Sequence, residues 1–332
     1  MSEVRVQGPE HRVQGRKGFV AARGLFCWLL GEGWRWLLFP IILILSFLAV
    51  YWGLGRGMNE QGESEDRETI KCHGAEAFEG MRKAGRLAAE VLDYITPFVR
   101  PDVTTDALND LCDAFTRDHG AVSAPLGYRG YPKATCISLN EVVCHGIPSD
   151  RKLKNGDIAN IDVTVILDGW YGDTSRMFYV GDKVSLKARR LVEVTYEAMM
   201  RGIGVVRDGA TIGDIGHAIQ SYAEPFGFSI VRDFCGHGLG RVFHTAPSVL
   251  HYGRAGQGTV LRVGMFLTIE PMINAGKFAV KVMPDGWTAV TKDRSLTAQF
   301  EHSLAVTETG YEIFTGSPKG WHCPPYEGAE TL

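Results

Sequence analysis

The stretch of sequence that decides the fold is G-D-I-A-N-I-D-V-T-V-I-L-D-G-W-Y-G-D-T-S-R-M-F-Y-V, residues 156–180. The segment from Ile158 to Leu167 is rich in β-branched residues, which favours a strand. Asp168-Gly169 is typical of a two-residue hairpin turn, so we expect Trp170 to Val180 to return as a second strand.

Two carboxylates fall on one face of this hairpin. A regular pairing through the turn places Asp173 opposite Thr164, two residues from Asp162, so the two aspartates project as diagonal neighbours. Their charges repel and are costly to bury unless a cation lies between them. A divalent metal ion meets that need, and the alternative is that one or both aspartates point to solvent at the hairpin end.

The composition excludes several classes of protein. A chain of 332 residues can form one large domain with an appendage, or two domains. The net charge of −3 argues against a strongly basic nucleic-acid surface, and we find no nucleic-acid motif. Seven scattered cysteines without a C-x-x-C pair indicate neither a zinc ribbon nor a disulfide framework, which favours a reducing compartment.

The N-terminal part of the chain predicts a membrane span. Residues 1–35 are basic, and residues 36–55 contain no charge and are bracketed by tryptophan and tyrosine, as at a membrane interface. As a helix this run would cover about 30 Å, the thickness of a bilayer core. A signal peptide fits worse, because the apolar run is too long and no A-x-A site follows. We therefore predict a transmembrane helix over 36–55 and an acidic linker up to residue 71.

Two helices and an internal repeat organise the rest. Apolar spacing predicts a helix from Gly74 to Ile95 and a second one that Thr104 caps and that ends near Gly120. The sequence V-R-P-D-V-T-T-D-A-L at 99–108 recurs as V-R-D-G-A-T-I-G-D-I at 206–215. The sequence G-D-I-A-N-I-D at 156–162 is echoed by G-M-F-L-T-I-E at 264–270, at nearly the same offset. We expect two α/β halves related by a pseudo-two-fold axis around a central cleft.

The second half adds further metal-ligand types. His237 lies in F-C-G-H-G-L-G, Glu270 in T-I-E-P-M-I, and Glu301 in Q-F-E-H-S-L-A-V, on what we expect to be the final strand. Taken singly, His237 would be structural and Glu301 a surface charge. Together with the two aspartates they form a carboxylate-rich set suited to a two-metal site.

The segment from Cys72 to Thr315 resembles the bacterial type I methionine aminopeptidases of the pita-bread metallopeptidase family. The resemblance rests on G-Y-R-G-Y-P-K, N-E-V-V-C-H-G-I-P, N-I-D-V-T-V, G-D-T-S-R-M-F, G-H-G-L-G-R-V-F-H, I-E-P-M-I-N-A-G and D-G-W-T-A-V-T-K-D-R-S-L-T-A-Q-F-E-H. It implies an α/β pita-bread domain over 72–315, after an N-terminal extension of 1–71 and before a tail of 316–332.

The resemblance also implies the ligands and the catalytic residues. Two divalent ions would be held by five side chains, of which Asp173 and Glu301 bridge both ions: Asp162, Asp173, His237, Glu270 and Glu301. A hydroxide between the ions would attack the first peptide bond, Glu270 would transfer the proton, and His145 and His244 would contact the substrate. The metal stays open among Co, Mn, Fe, Zn and Ni.

The family pattern suggests a pocket for the methionine side chain, because aromatic rings and a thiol suit a polarizable thioether. Its members are Tyr128, Tyr131, Cys136, Phe243 and Trp287. Each aromatic could instead be core, and His145 could be a structural loop histidine. Pro125 stands where close relatives often have cysteine, a departure that bears on fine selectivity.

The resemblance predicts a monomeric hydrolase, a methionyl aminopeptidase that removes initiator methionine from nascent chains at the ribosome when the next residue is small. A prolidase or aminopeptidase P would use the same ligands. A non-catalytic pita-bread module would have lost ligands, whereas all five are present.

The location of the enzyme follows from two arguments that conflict. The positive-inside rule places the catalytic domain across the membrane, whereas initiator methionine and reduced thiols belong to the cytoplasm. Either the chain is anchored by 36–55 with a cytoplasmic catalytic domain, or translation starts at Met58. We favour the second, because nothing after residue 71 needs an anchor.

Overall fold

The computed structural model describes residues 70–326 and residue 328. The predicted membrane span over 36–55 and nearly all of the acidic linker lie outside these residues. In the part that is described, no helix is both long and apolar enough to cross a bilayer. Within it the chain forms four α-helices: α1 (Ala75–Ile95), α2 (Thr105–Asp118), α3 (Leu186–Gly204) and α4 (Ile212–Ala223).

Fifteen strands accompany these helices in the described residues, and they form three sheets. The first half contains β1 (Val122–Ser123), β2 (Cys136–Leu139), β3 (Val142–Cys144), β4 (Ile158–Leu167) and β5 (Trp170–Tyr179). The second half contains β6 (Ser229–Ile230), β7 (Gly236–Gly238), β8 (Thr245–Val249), β9 (Phe266–Ile269), β10 (Met272–Asn274), β11 (Val280–Val282), β12 (Ala289–Thr291), β13 (Thr297–Gln299), β14 (Glu301–Thr307) and β15 (Gly310–Ile313).

The predicted helices are confirmed, and their ends have local causes. Gly74 is the N-cap of α1, and Pro97 follows shortly after its last residue. The Thr104 side chain accepts a hydrogen bond from the Ala107 backbone and so caps α2. Thr211 caps α4 in the same way, in a capping box with Asp214.

The β4–β5 hairpin forms in the predicted register. Thr164 lies opposite Asp173, and Asp162 lies opposite Ser175. Asp168 and Gly169 both have positive φ, 51° and 77°, as the tightest hairpin turns require. The Thr164 hydroxyl donates to Asp173 Oδ1 at 2.7 Å, so the predicted face of the hairpin carries the two aspartates.

The main sheet has nine strands, and its two halves correspond. Along its path the order is β1-β4-β5-β14-β9-β7-β8, so β4 and β9 flank the central pair β5–β14 at equivalent positions. Each half also contains one isolated antiparallel β-bridge at an equivalent position: Thr104 pairs with Lys152 in the first half, and Thr211 pairs with Val260 in the second. The expected pair of α/β halves is therefore present: Asp162 lies in β4, and Glu270 directly follows β9, the corresponding strand.

One expectation about the strands is wrong. Glu301 begins β14, but β14 is not the last strand, because β15 follows and pairs with it from Leu304 opposite Ile313. The chain reverses at Glu308-Thr309, and Gly310 takes a φ of 138°, which suits glycine. The turn lacks the Asn-Gly or Asp-Gly signal that made the first hairpin visible.

The core occupies the helix-covered side of the main sheet. Helix α1 packs on β4 and β5, and α2 packs on α1, β1 and β2, through residues such as Leu92, Leu108 and Ile161. Helices α3 and α4 pack on β9 and β14 through residues such as Leu191 and Leu267. Because side chains alternate along a strand, residues next to these core positions project to the other face, where the candidate site lies.

Candidate active site and metal centre

A cavity of about 380 Å³ opens on the face of the main sheet away from the helices. Its volume lies in the range of small-ligand sites. Every site residue predicted from the sequence lines it: Tyr128, Tyr131, Cys136, His145, Asp162, Asp173, His237, Phe243, His244, Glu270, Trp287 and Glu301. The cavity is also lined by Pro125, at the position where the sequence departs from the family pattern.

Three of the carboxylates reach the cavity from strands, and the fourth from the residue that directly follows a strand. Asp162 lies between Ile161 and Val163, whose side chains are in the core, so its own side chain faces the cavity. Asp173 projects from β5, and Glu301 pairs with Ser175 at the start of β14. Glu270 follows the end of β9, the strand that corresponds to β4.

Two of these carboxylates and one histidine form a compact ligand group. Asp173, His237 and Glu301 each offer a ligand atom, and these atoms lie within 4.8 Å of one another. His237 Nε2 is 3.5 Å from Asp173 Oδ2 and 3.7 Å from Glu270 Oε1. Imidazole nitrogen with carboxylate oxygen is a donor set that zinc, iron, cobalt and manganese accept.

The buried carboxylates around this group have raised pKa values, which a bound cation would lower. Burial raises the pKa of Asp162 and of Glu301 well above the ordinary value, and the charges of Asp173 and Glu270 raise both further. Burial raises the pKa of Glu270 to about 7, with Asp173 contributing and His237 opposing. Carboxylates crowded in this way are poorly stable as anions without a compensating positive charge. The residues present therefore fit a divalent metal centre.

The ring of His237 is oriented for metal binding. Its Nδ1 lies 3.0 Å from the Gly238 carbonyl oxygen, which can only accept, so Nδ1 carries the hydrogen and Nε2 presents a lone pair in the neutral ring. Burial lowers the pKa of His237, yet its contacts with Asp173 and Glu270 raise it above the usual value. A raised pKa favours the protonated ring in the metal-free protein, so His237 would lose the proton on Nε2 when it binds a metal ion.

Two further histidines in the cavity are neutral. Burial lowers the pKa of His244 to about 4, and the neighbouring His237 adds to the effect. His244 Nδ1 lies 3.0 Å from the Tyr128 hydroxyl. Burial also lowers the pKa of His145, whose backbone adopts a φ of 55° and whose ring meets Phe234 and Trp287 edge-on. Both rings are thus available as neutral hydrogen-bonding groups.

The remaining wall is aromatic. The rings of Tyr128 and Phe243 lie 4.9 Å apart between centroids, and those of Tyr131 and Trp287 lie 5.2 Å apart in an edge-to-face contact. The Tyr131 hydroxyl donates to the carbonyl oxygen of Thr135 or of Gly146, which fixes this ring. Cys136 is buried on the same side, and burial raises the pKa of its thiol.

Sequence reasoning missed three residues that hold Glu270. The Thr268 hydroxyl donates to Glu270 Oε1 at 2.8 Å, and the Gln299 amide lies 3.3 Å from Oε2. The Glu270 backbone N–H donates to His251 Nε2 at 3.1 Å. Alternation along T-I-E would have placed Thr268 on the face of Glu270, but nothing in the sequence signals the other two contacts.

Comparison with known proteins agrees with this site. The profile of metallopeptidase family M24 matches residues 79–308. A methionine aminopeptidase of Rickettsia prowazekii is 62% identical over 259 residues, which cover 78% of this chain and 100% of the relative. The methionine aminopeptidase of Escherichia coli K12 is 55% identical over 242 residues, covering 72% of this chain and 91% of the relative.

Solved structures give the same result. The crystal structure of the Rickettsia prowazekii methionine aminopeptidase matches with a TM-score of 0.74 and covers 74% of this chain and 100% of its own. Prolidase from Pyrococcus furiosus, at 21% identity and a TM-score of 0.60, shares the fold alone; it covers 76% of this chain and 66% of its own. The predicted pita-bread α/β fold and the resemblance to methionine aminopeptidases are confirmed: the chain belongs to metallopeptidase family M24.

Proposed function

We propose that the chain is a metal-dependent aminopeptidase that hydrolyses the first peptide bond after an N-terminal methionine when the next residue is small. One observation carries the proposal: four carboxylates and an imidazole line a single cavity together with a wall of aromatic rings and a thiol. The ligand group supplies the reaction centre, and the wall suits the methionine thioether.

The metal would be held by the five side chains at the base of the cavity. The five would be Asp162, Asp173, His237, Glu270 and Glu301, of which Asp173, His237 and Glu301 offer ligand atoms within 4.8 Å of one another. When bound, divalent ions supply Lewis acidity and lower the pKa of water. The donor set alone does not select among Co, Mn, Fe, Zn and Ni.

The protein residues then have separate roles. Glu270 takes a proton from the attacking water and returns it to the leaving amine. When the Tyr128 hydroxyl donates to His244 Nδ1, the neutral ring keeps a hydrogen on Nε2 and can donate to the developing oxyanion. His145, neutral and held between Phe234 and Trp287, contacts the scissile amide.

Selectivity would come from the aromatic wall. The methionine side chain would lie against the five residues of the pocket: Tyr128, Tyr131, Cys136, Phe243 and Trp287. The rings of Tyr128 and Phe243, 4.9 Å apart between centroids, form one part of this wall. The alternative, cleavage of X-Pro bonds, is supported by a shared fold and the shared ligand types only.

A peptide competition assay tests the proposed substrate class. Purified enzyme loaded with Mn²⁺ is given Met-Ala-Ser and Ala-Pro peptides in the same vessel, and free amino acids are quantified. We expect release of methionine, its loss on chelation and its return with added metal. Preferential release of alanine from Ala-Pro would instead support the prolidase function.

We also propose that the catalytic domain works in the cytoplasm on nascent chains, as a monomer. The six cysteines of the described residues are all free thiols, which supports a reducing compartment. If the first 57 residues are translated, residues 36–55 would anchor it. Mass spectrometry of the native N-terminus in membrane and soluble fractions tests this, and a peptide from residues 1–57 would refute a start at Met58.

A further inference from the structure

Thr268 links two of the side chains that the proposed function assigns to the metal. It lies on β9 and is completely buried. The strand β7 has an irregular register between Gly236 and Gly238, and His237 sits at that irregularity. There the His237 backbone N–H donates to Thr268 Oγ1 at 3.0 Å.

The contact between these strands depends on close approach. A Cβ atom placed on Gly236 would lie 2.4 Å from the Thr268 carbonyl oxygen and 3.0 Å from its hydroxyl. No side chain fits in that space, so glycine at 236 allows β7 to approach β9 closely enough for the His237 N–H to reach the hydroxyl.

The direction of the hydroxyl follows from its partners. Because Oγ1 accepts from His237, its own hydrogen is free to point at Glu270 Oε1, 2.8 Å away. The second carboxyl oxygen of Glu270 lies 3.3 Å from the Gln299 amide nitrogen, and the Glu270 backbone N–H is held by His251. Glu270 is therefore held at both oxygens and at its backbone.

We infer that the Thr268 hydroxyl is a positioning group that holds the Glu270 carboxylate and the His237 backbone in the arrangement that binds metal. The inference rests on the ligand roles proposed above for His237 and Glu270. Groups that orient metal ligands in this way typically change metal affinity or activity about 10- to 100-fold when they are removed.

Two substitutions isolate the hydroxyl. Thr268→Val keeps the shape of the side chain and removes the hydrogen bonds, whereas Thr268→Ser keeps the hydroxyl. Thr195→Val is the matched control, because Thr195 is also completely buried and its hydroxyl donates to the Leu191 carbonyl oxygen inside α3, away from the cavity. The control measures the general cost of losing a buried hydroxyl.

The experiment is calorimetric titration of the metal-free full chain with Mn²⁺, together with kcat and KM for Met-Ala-Ser and the melting temperature. We expect Thr268→Val to bind Mn²⁺ at least about tenfold more weakly. Its kcat should fall by a larger factor than its KM changes. Thr268→Ser should bind close to the wild type. Thr195→Val should lower the melting temperature but keep wild-type affinity.

Wild-type metal affinity in Thr268→Val would overturn the inference, and so would an equal loss of affinity in Thr268→Ser or Thr195→Val. Failure of the wild-type chain itself to bind Mn²⁺ would overturn the proposed function instead. The two failures are therefore distinguishable.

Discussion

The carboxylates of the cavity predict that metal binding releases protons. Without metal, burial raises the pKa of Glu270 to about 7 from an ordinary value of 4.5, and the pKa values of Asp162 and Glu301 are raised too. Below about pH 7 Glu270 therefore holds a proton that a bound cation must displace, and the raised pKa values of Asp162 and Glu301 act in the same direction. The apparent metal affinity should therefore rise with pH between about 6 and 8.

Calorimetry in buffers of different ionisation enthalpy counts the released protons. At pH 6.5 we expect proton release on Mn²⁺ binding and less of it at pH 8. Proton release near zero at pH 6.5 would show that the carboxylates are already ionised in the metal-free protein.

Two histidines should act on catalysis without holding metal. His145→Ala and His244→Ala should keep the metal content of the wild type and lower kcat/KM by roughly 100-fold or more, since each loses a group that acts on the transition state. Elemental analysis and steady-state kinetics separate the two effects. Loss of metal from either variant would make that histidine a ligand.

At the scale of elements, a buried ion pair joins α1, β5 and the chain after β15. Asp93 and Arg176 are both buried, and Arg176 Nη1 lies 2.7 Å from Asp93 Oδ1. The Ser317 hydroxyl donates to Asp93, and Arg176 also donates to the Trp321 carbonyl oxygen. This segment is thus held against the helix-covered side of the sheet.

Breaking that pair should destabilise the whole domain. Asp93→Ala leaves the Arg176 charge buried without its partner, which costs about 3–5 kcal/mol. As a control, Glu90→Ala breaks the exposed pair of Arg86 with Glu90 and should cost only about 0.5 kcal/mol. Urea unfolding measures both, and equal small losses would show that solvent reaches the Asp93 pair.

The elements also show what local sequence can specify. Asp168-Gly169 between alternating strands identifies the β4–β5 hairpin and its register, because both residues tolerate positive φ. The turn before β15 has no such signal, so that strand was missed. Strands of two or three residues such as β6 and β7 carry too few residues to show alternation and are defined by their partners.

At the scale of the whole molecule, the repeat and the motifs predicted the fold and the site residues, and the structure places all of these residues around one cavity. They could not predict the contacts of Glu270 with Gln299 and His251, because those join residues that are distant in the sequence. Gln299 is 29 positions from Glu270, and His251 is 19. Such contacts depend on how the strands pack, which the type of a single residue does not encode.

We expect one metal centre, held by side chains from both halves, to give the chain its aminopeptidase activity. The most direct test is to titrate the metal-free chain with Mn²⁺ while measuring bound metal and methionine release together, in the wild type, Asp173→Ala and Glu301→Ala. We expect two ions per wild-type chain, activity that rises with occupancy, and loss of both in each variant. Full activity with either carboxylate removed would show that the reaction does not depend on this metal centre.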